Sequence, residues 1–91
     1  MSYEWESDKA KLNFRKHHIR FEEARTVFSD PMFVTVVDEE HSVDEDRYIT
    51  IGFSNQNRLI LVAHTDQEGV IRIISARKAT KSEQKFYADG A

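Results

Sequence analysis

Ninety-one residues with 40% apolar and 11% aromatic side chains, three glycines and one proline describe one folded domain, residues 1–91, since a chain this short supplies material for one core. The absence of cysteine excludes a disulfide framework and a thiolate metal site, and no uncharged run approaches the roughly 20 residues of a membrane span. The net charge of −3 argues against a general polyanion binder, but it conceals a division: residues 1–46 hold six Lys or Arg against twelve Asp or Glu, and residues 47–91 hold seven against four. These features point to a cytoplasmic protein with no membrane partner and with its basic surface in the second half.

In chain order, "YEW" at 3–5 suits a short strand, and Ser7 and Asp8 suit the N-cap of a helix over 8–17, where Ala10, Phe14 and His17 share a face. A second helix is expected from about Arg20 to Phe28, with Phe21, Ala24, Val27 and Phe28 as its apolar stripe, ended by "SDP" at 29–31. After Pro31 the hydrophobic period changes from 3.6 to 2. "MFVTVV", "RYITIGFS", "RLILVAHT" and "VIRIISAR" read as strands, separated by spacers too short for crossover helices, so they predict a four-stranded antiparallel meander. Gly69 sits where the last hairpin wants a positive φ. "TKSE" at 80–83 is a capping box opening a short C-terminal helix, which Phe86 or Tyr87 must dock onto the sheet. The fold class is therefore α+β, two N-terminal helices on a four-stranded antiparallel sheet with a short C-terminal helix. The loop "DEEHSVDED" reads as a solvated connection, because it lacks the spacing of a calcium loop.

Alternation assigns side chains to sheet faces. Ile49, Ile51, Phe53, Leu59, Leu61, Ala63, Ile71 and Ile73 are expected on a core face beneath the helices. The opposite parity gives Tyr48, Thr50, Arg58, Ile60, Val62, His64, Arg72 and Ile74, so Arg58, His64 and Arg72 are expected to converge on an open surface, with Arg77 and Lys78 at its rim. Such a group of cations suits a phosphate. Each residue also has a plainer reading: a mid-strand Arg can pair with an acid, His64 can be a buried hydrogen-bonded histidine, and Tyr87 can simply pack. The four histidines, at 17, 18, 41 and 64, lack metal-ligand spacing, three isolated glycines form no phosphate loop, and Ser75 lies inside a strand rather than on a nucleophile turn, so no metal or cofactor is expected.

"EWESDKAKLNFRKHHIRFEEARTVFSDP", "RYITIGFS", "RLILVAHT" and "IRIISARKATKSEQKFY" together resemble BrnT, the toxin family of the BrnT/BrnA type II toxin–antitoxin systems, related in fold to the RelE family. One departure is His18, at a position where the family tends to have Gly after the Lys-His pair. The resemblance implies a RelE-like ribonuclease that halts translation and growth, neutralised by a BrnA-type antitoxin in a complex of two toxins on an antitoxin dimer, with operator DNA bound only through the antitoxin.

For such a toxin the chemistry is metal-independent attack of the ribose 2′-hydroxyl on the adjacent phosphorus, which requires a proton acceptor, a proton donor and charge stabilisation on the non-bridging oxygens. Arg72 and Arg77 are the candidates for those oxygens, since a guanidinium offers two parallel N–H bonds. His64 is the candidate acid or base, with Lys78 and Tyr87 in support, and Arg58, Lys81 and Tyr48 are candidates for substrate binding. The rival reading is a non-catalytic module whose basic patch only docks RNA or protein.

Overall fold

The computed structural model describes residues 1–90. Strand β1 (Ser2–Glu4) leads into helix α1 (Ser7–His17), followed by α2 (Phe21–Ala24), which tightens into a 3-10 turn over Arg25–Ser29. Strands β2 (Val34–Val37), β3 (Arg47–Phe53), β4 (Leu59–Gln67) and β5 (Val70–Lys78) come next, then helix α3 (Lys81–Asp89). The four expected strands are present, but the sheet has five in the order β1-β5-β4-β3-β2, and β1 runs parallel to β5. The expected purely antiparallel sheet is therefore corrected to a mixed one. A three-residue edge strand carries too little periodicity to declare its partner.

Local chemistry explains the elements. Glu68 (φ 54°) and Gly69 (φ 84°) both take positive φ between Gln67 and Val70, the backbone of a tight hairpin turn that matches the strand twist. Thr80 accepts from the Glu83 N–H at 3.2 Å while Glu83 accepts from the Thr80 N–H at 2.8 Å, completing the expected capping box. At α1 the cap differs from expectation, since Glu6 holds the N-cap position without a side-chain bond. The second helix is also shorter than its apolar stripe suggests. Thr26 Oγ1 donates back to the Glu23 carbonyl at 2.6 Å and accepts from the Asn55 N–H at 2.9 Å, so its side chain serves the loop after β3 rather than a continuing α-helix.

The core lies between the first two helices and one sheet face: Ile19, Phe21, Ala24 and Val27 pack against Ile60, Val62, Ile71, Ile73 and Ala76. The expected face assignment is corrected here. The helix-covered face of β3 and β4 carries Tyr48, Thr50, Gly52, Ile60, Val62 and His64, whereas Ile49, Ile51, Leu59, Leu61 and Ala63 point the other way, where α3 packs at one end. Both parities are apolar enough to be core, so alternation alone could not choose between them. Gly52 contributes to the choice, because a Cβ there would stand 2.9 Å from Val27 Cγ1, and only glycine lets the 3-10 turn approach this closely.

Asn13 is the buried residue of α1; of the expected face, Ala10 packs against the core and His17 is half-buried, while Phe14 is exposed. Its Nδ2 donates to the Ile19 and Ala76 carbonyls at 3.0 and 2.9 Å, and its Oδ1 accepts from the Ala76 N–H at 3.0 Å. Past the end of β1, this amide satisfies the backbone edge of β5 as a neighbouring strand would.

Candidate functional site

Strand β5 decides which cations share a surface. Ala63 pairs with Ser75 and His64 with Ile73, which leaves Ile74 unopposed as a bulge. The extra residue reverses the alternation, so Arg72 and Arg77 fall on the same side despite their odd separation. Arg77 pairs with Leu61, which pairs in turn with Ile51, and Arg72 pairs with Thr65, which pairs in turn with Arg47. Three arginines therefore stand on the face turned away from α1 and α2. Between them lie Ile49, Ala63 and Ser75.

Two of the three arginines have an acid of their own. Arg72 Nη2 meets Glu45 Oε1, from the acidic loop, at 2.5 Å, with 43% of the Arg72 side chain exposed. Arg77 grips Glu83 with both ends of its guanidinium, at 2.8 and 2.9 Å, and the arginine together with the capping bonds pulls the Glu83 carboxyl down to about 2. Lys78 and Lys81 are exposed beside this pair. Arg77, Lys78 and Lys81 occupy the end of β5 and the start of α3, and Arg72 lies near the start of β5.

His64 and Arg58 are not part of that group. His64 is 2% exposed on the helix side, its Nε2 2.7 Å from Thr50 Oγ1, which lies 2.7 Å from Thr35 Oγ1. Phe28 meets its ring edge-on and Tyr48 stacks over it, so these two expected site residues do come together, on the wall of a small cavity of about 260 Å³. Burial pushes the imidazole below its ordinary value, against the opposing pull of the Thr65 carbonyl and Asp66. Arg58 forms a two-pronged ion pair with buried Glu23, which also accepts from Ser54 Oγ at 2.6 Å. The expected convergence of Arg58, His64 and Arg72 is thus corrected: the bulge at Ile74 sends Arg72 to the other face.

Tyr87 docks α3 as expected, its ring edge-on to Phe53 with centroids 5.5 Å apart. Its hydroxyl donates to Asp30 Oδ2 at 2.6 Å, and burial together with that carboxylate pushes the phenol up to about 12. Asp30 also accepts from the Phe53 and Met32 N–H groups, tying α3, the end of β3 and the loop after the 3-10 turn. Two site features escaped the sequence reading. Arg47 reaches the Arg72 row through strand register, and Glu45 pairs across 27 positions, so neither had a local signal. Among the described residues no group of three His, Asp or Glu side chains is placed to hold a metal ion, and no helix is long and apolar enough to cross a membrane.

The family model for the ribonuclease toxin BrnT of type II toxin–antitoxin systems matches residues 5–83. The chain belongs to the BrnT family. In fold it is similar to the crystal structure of the Brucella abortus ribonuclease toxin BrnT, with a TM-score of 0.64 and 24% identity over 89% of this chain and 99% of that one. Comparison with the curated proteins gave no match. Membership of the BrnT family makes this a toxin of the ribonuclease class with an antitoxin as its partner. The matched span contains β3, β4 and β5 whole, and therefore all three arginines of the face turned away from α1 and α2.

Proposed function

We propose that this BrnT-family toxin is an endoribonuclease that cleaves RNA without a metal ion, on the sheet face turned away from α1 and α2, and that Arg72 and Arg77 hold phosphates at and beside the reacting centre. The observation that carries this reading is the bulge at Ile74, which sets both guanidiniums on one face with Arg47 beside them. Along β5 the two arginines are separated by roughly 15 Å of strand, a span of two to three nucleotides, at the usual rise of about 3.3 Å per residue. Their long side chains shorten that gap. RNA phosphates then replace Glu45 and Glu83 as partners of the arginines, exchanging one charge-assisted pair for another.

Lys78 and Lys81 lie at the Arg77 end and are assigned to flanking phosphates. The proton-transfer group is not assigned to His64, because that imidazole is buried on the opposite side among Phe28, Tyr48 and Thr50. Tyr48 shares that placement, and Arg58 is assigned to holding Glu23. Tyr87 is assigned to seating α3. The antitoxin neutralises the toxin by covering this face, as two toxins on an antitoxin dimer that binds operator DNA, and the target is cytoplasmic RNA whose cleavage stops translation.

Incubation of the purified protein with RNA in EDTA tests the reading. Cleavage that survives the chelator is the expected result. RNA that stays intact with or without EDTA returns the chain to a docking module, and cleavage abolished by EDTA assigns the reaction to a metal.

A further inference from the structure

A second cationic surface lies on the far side of the molecule, outside the face assigned to cleavage. The outer side of α1, the segment entering α2 and Trp5 enclose an open cleft of about 580 Å³. Its lining alternates rings and cations: Trp5, Phe14 and His18 with Lys11, Arg15 and Arg20. The Arg20 guanidinium sits 4.2 Å from the centre of the Phe14 ring, and His18 meets the same ring edge-on with centroids 6.1 Å apart. Trp5 stands edge-on to buried Phe21 at 6.0 Å, half-buried and fixed by the core.

The charge of this cleft differs from that of the sheet face. On that face Arg72 and Arg77 are each ion-paired, whereas among the described residues Lys11, Arg15 and Arg20 have no acidic partner. Glu22 is the one acid among the lining residues. Three uncompensated cations in a chain of net charge −3 leave a local positive field with aromatic and guanidinium planes inside it. That combination suits single-stranded nucleic acid, whose bases stack on flat side chains while its phosphates meet Lys and Arg.

We infer that the cleft between α1 and α2 binds a single-stranded RNA segment, stacking a base against Trp5 or the Arg20–Phe14 pair and holding phosphates with Lys11, Arg15 and Arg20. This rests on RNA being the substrate, and it adds a binding subsite remote from the cleaving face. The subsite retains a strand while another part of it reaches Arg72 and Arg77.

Trp5 is the only tryptophan, so its emission reports the cleft directly. The probe is a 2′-O-methyl tetranucleotide, which binds as RNA does and has no 2′-hydroxyl to react, so binding is read apart from cleavage. Addition of the probe is expected to quench Trp5 emission at least twofold. With three phosphate contacts the binding constant falls with salt at a log–log slope of about −2, and Lys11→Ala/Arg15→Ala lowers the slope to about −0.7, at roughly −0.7 per contact for single strands. Both residues are exposed, so the variant keeps its fold, checked by circular dichroism. Arg72→Ala is expected to keep the quench even though it loses cleavage. The inference is overturned by unchanged emission on adding the probe, by an unchanged salt slope in the double variant, or by a quench lost in Arg72→Ala. Quenching by purified antitoxin and not by the oligonucleotide overturns it too, and assigns the cleft to the protein partner.

Discussion

Arg72 and Arg77 stand on one face of the sheet only because Ile74 bulges out between them; in a regular strand residues five apart lie on opposite faces. The pair that results is the part of this toxin to which we assign contact with RNA and with the antitoxin. Reversing the charge with Arg77→Glu is expected to weaken both RNA cleavage and antitoxin binding, each by at least tenfold, measured on the same preparation. A variant that loses cleavage and still binds antitoxin with full affinity would show that the antitoxin covers another surface.

Asn13 is the strongest stability prediction. Its three hydrogen bonds to the Ile19 and Ala76 backbone are buried, so Asn13→Ala strands polar backbone groups at the β5 edge. Loss of about 3 kcal/mol is expected, from roughly 1 to 3 kcal/mol for each buried group left unpaired, and urea denaturation reads it.

His18 ends α1 in the left-handed region, with φ 59° and ψ 30°, and its N–H bonds the Phe14 carbonyl at 2.8 Å. This is the conformation that a glycine takes without steric cost. His18→Gly is expected to raise stability by about 0.5 kcal/mol, and His18→Val to lower it by more than 1 kcal/mol, in the same denaturation assay.

Acid is expected to destabilise the protein in two windows. The His64 value is depressed in the folded state, so its contribution is complete above the unfolded value of about 6.5 and is lost as pH falls through the folded one. Glu83, drawn from 4.5 down to about 2, contributes above 4.5 and loses that contribution on further acidification. Melting temperatures followed from pH 8 to pH 3 therefore fall first near pH 6 and again below pH 4.5. Glu83→Gln removes the larger part of the second fall and leaves the first.

The strands and the capping box were legible from the sequence because their signals are local. "RYITIGFS" and "VIRIISAR" mark β3 and β5 to within one residue, and Thr80 and Glu83 stand at the spacing their reciprocal bonds require. The convergence of cations was not legible, because period 2 counts parity along a strand and is blind to one unopposed residue. The same blindness placed Arg72 beside His64, when register sets it beside Thr65 and Arg47. Asn13 through Ala76, Glu45 through Arg72 and β1 through β5 act on partners 27 or more positions away, where sequence spacing carries no information.

The initial rate of RNA cleavage by Arg72→Ala, in EDTA and at matched melting temperature, tests the assignment of the reaction to the face beyond the bulge. A fall of about 10² to 10³ is expected, the cost of losing one transition-state donor. Cleavage at the wild-type rate by a folded Arg72→Ala protein would contradict the assignment.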